Sequence, residues 1–142
     1  MPLADKIDKI SIIPRSGNTT GYTRFTPDEE ILDSSLVSKA YLQSKLAVAL
    51  GGRAAELIIF GRREITQGAY GDLEEVYRIS KEMVTRFGFS KLGLVSFMDS
   101  EQEVFIGRGF LRQNSNYAQS TQKCVDQEIR QLAKDALKTA IE

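Results

Sequence analysis

The sequence predicts a mainly α-helical domain with a small β component. Three observations carry that expectation. Apolar residues recur at spacings of three and four from Leu42 to Ile58, from Leu73 to Phe87 and from Val125 to Ala140. β-branched and alternating residues are confined to short runs, chiefly at the N-terminal end. Length and composition then fit a single domain. A chain of 142 residues that is 42% hydrophobic and 27% charged can close its own core in water.

Composition also excludes functions. Lysine plus arginine equals aspartate plus glutamate at 19 each, so no overall field favours nucleic acid, and no nucleic-acid partner is expected. The single cysteine, Cys124, rules out an internal disulfide and is expected to be a buried small apolar residue of the last helix. There is no histidine. That removes Ser-His and Cys-His nucleophile pairs and every histidine-containing metal site from this chain taken alone. The runs Leu46–Leu50 and Leu57–Phe60 are far too short to span a bilayer, and no signal-peptide pattern opens the sequence.

In chain order, Lys9–Pro14 (KISIIP) reads as a strand closed by its proline, and Arg15–Thr20 has turn chemistry. Gly21–Phe25 (GYTRF) completes a β-hairpin, and Pro27 is placed to begin a short helical turn. A long helix is predicted from the N-cap Ser38 through Ile58. The pair Gly51-Gly52 inside it costs about 1 kcal/mol per glycine. Close passage of another backbone is the favoured explanation and a helix break the other. Arg53 and Glu56, one turn apart, read as an ordinary surface ion pair.

Phe60-Gly61 ends that helix, and a glycine-bearing loop (Gly68, Gly71) leads into Asp72. From there Leu73, Val76, Tyr77, Ser80, Met83, Val84 and Phe87 share one helical face, and Gly88 offers a positive-φ stop. Asp72 with Glu75 three residues on has the pattern of a capping box worth on the order of 1 kcal/mol. On residues alone the cap is favoured over a metal ligand. Short strands are expected at Gly93–Phe97 and Glu103–Ile106, with loops at 107–109 and 113–116. A last helix runs from about Ser120 with Val125, Ile129, Leu132, Ala133, Ala136, Leu137 and Ala140 on one face.

Taken together, KISIIPRSGNTTGYTRFTPDEE, LQSKLAVALGGRAAELIIFG, ITQGAYGDLEEVYRISKEMVTRFGFSKLG, EVFIGR and the helix after Tyr117 stand in the order seen in FtsH-type proteases. The chain resembles the peptidase domain of these membrane-anchored, ATP-dependent zinc metalloproteases of family M41. The segment FTPDEE…LDSSLVSKAYL is most similar to the plastid and cyanobacterial branch, which implies a chloroplast or thylakoid-membrane setting. The resemblance implies hydrolysis of peptide bonds in membrane or misfolded proteins. It also implies ATP used by a separate AAA+ domain, and assembly with FtsH-type subunits in a hexamer.

In that family a His-Glu-x-x-His helix and a later aspartate hold zinc, which activates water. By resemblance the aspartate falls on Asp72, while the histidines and the glutamate have no counterpart here. The resemblance therefore implies a partial M41 domain over residues 1–142, in which Met1 falls roughly a dozen residues beyond the metal-binding motif. An internal start is favoured over a degenerate paralogue. For the strand Gly21–Phe25 a plain hairpin edge is one reading; in the protease reading the resemblance implies substrate pairing at Gly21, Tyr22 and Thr23. Departures from the family pattern cluster at Gln67, Tyr70 and Gly71, beside Asp72. Leu57 and Leu94 also stand where other residues are usual. A pseudoprotease that acts as a structural subunit is the alternative reading.

Overall fold

The fold was examined in a computed structural model, which describes residues 5–11, 22–26, 36–96 and 118–142. Two strands, β1 (Lys6–Ser11) and β2 (Tyr22–Thr26), precede four helices: α1 (Lys39–Ala49), α2 (Gly51–Ile59), α3 (Tyr70–Thr85) and α4 (Gln119–Ile141). A 3-10 turn, Gln67–Ala69, runs directly into α3. The mainly helical class with an N-terminal hairpin is as the sequence predicts.

The strands pair antiparallel, with Ile7 opposite Phe25 and Ile10 opposite Thr23, and an irregularity between Ile7 and Lys9 accommodates Asp8. The Arg24 guanidinium reaches the Asp8 carboxylate at 2.5 Å across the pair. β1 begins three residues before the expected Lys9, because backbone pairing with β2 carries Lys6–Asp8 along whatever their side-chain pattern. Residues 12–14, the 15–20 turn, Gly21 and the Pro27 turn lie outside the described residues. The hydroxyl of Tyr41 on α1 donates to both carboxylate oxygens of Asp5, at 2.9 and 3.0 Å, and so ties this end of the chain to the helices.

The core lies where α1, α3 and α4 meet. Leu42, Leu46 and Leu50 interleave with Val76, Ile79 and Met83 and with Ala136. Val84, Val125 and Ile129 form a smaller cluster at the other end. Leu132, Ala133, Leu137 and Ala140 pack against the main cluster half-buried. On α3, Ile79 joins the expected face, whereas Leu73, Tyr77 and Phe87 are exposed. The buried stripe follows Val76, Ile79, Ser80, Met83 and Val84; Leu73 stands in the first turn before it, Tyr77 at its edge, and Phe87 beyond the end of α3.

Three further expectations are corrected. The Ser38–Ile58 helix is interrupted at Leu50, which is both the C-cap of α1 and the residue before α2. A Cβ built on Gly51 or Gly52 would meet nothing within 4 Å, so no backbone among the described residues passes close to either. The glycines mark the break, where low helix propensity meets the change of direction. Residues Gly93–Ser96 form no strand, and no strand among the described residues offers them a ladder. The other expected strand, 103–106, lies outside the described residues, as do the loops at 107–109 and 113–116. Cys124 is exposed, because it precedes the buried Val125 by one residue and so turns about 100° away from it on the helix.

Two terminus signals appear as predicted. Ser38 Oγ accepts from Tyr41 N at 3.1 Å, and Gly88 takes φ 63° just after α3. At Gly88 a Cβ would also lie 3.3 Å from Gly93 O, so glycine is required there by both torsion and space.

Candidate functional site

The site is the turn between α2 and α3. Its entry, Arg62–Gly68, is exposed and carries one backbone bond of its own, Glu64 N to Gly61 O at 3.3 Å. Gly61 makes the bend out of α2 with φ 76°. Thr66 then holds extended backbone, and its Oγ1 accepts from Gly68 N at 3.2 Å. The 3-10 turn follows, Tyr70 N bonds Gln67 O, and Ala69 is buried beneath. The helix is already running at Tyr70. Asp72 therefore sits inside the first turn of α3 and is not its N-cap, and no side chain caps that helix. The capping-box expectation fails because the preceding turn has supplied the starting structure. Glu75 instead pairs with Arg78 at 2.6 Å, and that guanidinium holds its carboxyl below the usual range.

Asp72 is exposed and engages in no side-chain bond that defines the turn. Its negative charge in the first turn lies where the helix dipole favours it. On a different face of α3 from Asp72 run Tyr70, Leu73 and Tyr77, at i, i+3 and i+7, and they are 67%, 43% and 54% exposed. Tyr70 donates to Glu74 at 2.6 Å, which raises its phenol above the ordinary value.

The residue that sequence reading undervalued is Glu56. Its ion pair with Arg53 exists at 3.5 Å, but its main partner is Thr66. Thr66 Oγ1 donates to Glu56 Oε1 at 2.5 Å, and Thr66 N donates to Oε2 at 3.1 Å. The Thr66 hydroxyl, then its amide, hold the Glu56 carboxyl below the usual carboxylate range, with Arg53 assisting and burial opposing. No periodicity links residues ten apart across a loop, so only Thr66 followed by Gly68 hinted at a local cap.

Zinc is a poor fit to the residues of this chain. Structural and catalytic zinc need three or four donors, and histidine is absent from all 142 residues. Among the described residues no group of three or more Asp, Glu or Cys side chains is placed to hold a metal. Of the expected substrate strand, Tyr22 pairs with Ser11 and Thr23 with Ile10, while Gly21 lies outside the described residues. The structure does not bring β2 and Asp72 into one cluster among the described contacts. A groove of about 330 Å³ between α1 and α4, edged by Gln43, Ser44, Asp135 and Thr139, belongs to neither. No helix among the described residues is long and apolar enough to cross a membrane.

The profile of Peptidase family M41 matches residues 1–142. The chain is 46% identical over 141 residues to "ATP-dependent zinc metalloprotease FtsH 3" of Synechocystis, covering 99% of this chain and 23% of that protein. It is 45% identical over 141 residues to the FtsH metalloprotease of Chloroflexus aggregans, covering 99% of this chain and 21% of that protein. It is also 45% identical over 143 residues to the chloroplastic FTSH 1 of Arabidopsis thaliana, covering 100% of this chain and 20% of that protein. The chain belongs to peptidase family M41, as a domain akin to those of FtsH-type metalloproteases. It spans about a fifth of the length of the curated relatives it matches.

Proposed function

We propose that this chain is the part of an FtsH-type peptidase domain that supplies the acidic zinc ligand, Asp72. In this reading residues 1–142 are a partial M41 domain, and peptide-bond hydrolysis belongs to a complete protein that also brings the His-Glu-x-x-His helix. The observation that carries the reading is the free presentation of Asp72. The turn before it has taken over the start of α3, which leaves the carboxylate exposed and uncommitted. This chain's own groups do not complete a zinc site, so no catalytic step is assigned to them alone.

The accompanying features follow the relatives. Protein substrates would be membrane or misfolded proteins, with ATP used at a separate AAA+ domain and copies arranged in a hexamer. A chloroplast or thylakoid setting follows the plastid and cyanobacterial relatives. Strand β2 has no partner on its outer edge among the described residues, and Gly21, Tyr22 and Thr23 are proposed to pair there with an extended substrate.

A second reading, a non-catalytic subunit of such a hexamer, is favoured by one observation. Gln67 and Gly71 depart from the family pattern immediately around Asp72 in a chain without histidine. Reading the coding sequence directly upstream of Met1 separates the two. The first expects an in-frame His-Glu-x-x-His, and an extended protein whose cleavage of casein is abolished by Asp72→Ala. A stop codon there, or cleavage indifferent to Asp72→Ala, removes it.

A further inference from the structure

We infer that Glu56 is a positioning residue for Asp72, a carboxylate on one helix that fixes the turn from which the next helix presents its acid. The inference rests on the reading of Asp72 given above and deepens it. The geometry is a relay of three bonds. Both oxygens of Glu56 are engaged by Thr66, one by its hydroxyl and one by its amide, at 2.5 and 3.1 Å. The same hydroxyl oxygen then accepts from Gly68 N at 3.2 Å, which closes the 3-10 turn whose end is the beginning of α3. Asp72 follows within one helical turn.

The relay begins on a fixed base. Glu56 stands on α2 two residues after Ala54, which is 2% exposed, and α2 packs on α4. The turn itself has little else to hold it. Arg62–Gly68 is exposed throughout, and its one apolar member, Ile65, is 39% exposed. The first buried side chain after Ile59 is Ala69. Charge-assisted, two-point hydrogen bonding to a carboxylate fixes direction as well as distance, as a single neutral bond does not. Arg53, 3.5 Å away on the same helix, is a charged group facing Glu56 and adds to the lowering that the Thr66 hydroxyl and amide produce in its carboxyl. Gly68 fits the same design: a Cβ there would press on Thr66 Oγ1 at 3.2 Å.

The test is amide hydrogen exchange on the 142-residue chain, read at Thr66, Gly68 and Asp72, with core amides of Met83 and Val84 as the folding control. Glu56→Ala and Thr66→Val are expected to lower protection at the three site amides roughly tenfold, with the core amides unchanged. Thr66→Ser, which keeps the hydroxyl, is expected to restore it. In the wild-type chain protection at Thr66 should persist at neutral pH and fall only in acid, as Glu56 titrates below the ordinary glutamate range; in Glu56→Gln that pH step should vanish. Unchanged protection in Glu56→Ala, or loss in Thr66→Ser equal to that in Thr66→Val, overturns the inference. Neither outcome depends on Asp72 binding metal. Asp72→Ala, which tests the earlier reading, should leave Thr66 protection as it is.

Discussion

Asp72 and Ser80 lie eight positions apart on one helix and show how differently a polar side chain can be used. Asp72 is at the surface in the first turn of α3, where a negative charge meets the partial positive charge of unpaired amides. Asp72→Asn should therefore cost less than about 1 kcal/mol in urea unfolding at low salt, and less still in high salt. A larger loss would mean that the carboxylate is structurally committed after all. Ser80 is wholly buried among Val76, Met83 and Val84, and its Oγ has no hydrogen-bond partner among the described residues. An orphaned buried hydroxyl is a liability, so Ser80→Ala should stabilise the chain by about 1 kcal/mol in the same measurement. Destabilisation would show that the hydroxyl is bonded. Glu56 shows what residue-level reading misses. Its i,i+3 partner Arg53 is visible in the spacing, but its decisive partner Thr66 lies across a bend, where only three-dimensional structure can place it.

At the scale of elements, the helices were legible and their ends were not. Apolar spacing located the helical segments among the described residues, with α1 and α2 read as one, because each must bury one stripe against its neighbours. The ends depend on local competition that composition leaves open. Asp72 has the signature of a cap, yet Thr66 and the 3-10 turn start the helix earlier. Gly51 and Gly52 suggested a tight crossing, yet they stand in open space beside the break at Leu50. That difference has a consequence. Where no neighbour meets a Cβ and φ is helical, alanine removes unfolded-state entropy without strain. Gly52→Ala should raise stability by about 0.5–1 kcal/mol, measured as a higher thermal midpoint. A close crossing would instead make it destabilising. The hairpin was legible as a pair but displaced by three residues in β1, since backbone pairing recruits Lys6–Asp8 irrespective of their side chains.

For the molecule as a whole, the core of α1, α3 and α4 is the scaffold that holds the start of α3. The motifs from KISIIPR to the TQGAYGD turn were sufficient to indicate family M41, because so many short, chemically odd segments seldom recur together in one order. Whether the chain acts was legible only as a limit. Absence of histidine restricts the donors to carboxylates and one thiol, and Asp72 has no second ligand gathered near it among the described residues. Through Thr66, Glu56 on α2 is bonded to the turn that leads into Asp72.

The most direct test of that account is a zinc titration of the purified 142-residue chain by calorimetry, with casein cleavage assayed in parallel. The account predicts no stoichiometric zinc at micromolar concentration and no cleavage, in the wild-type chain and in Asp72→Ala alike. One zinc bound per chain, with cleavage lost in Asp72→Ala, would contradict it.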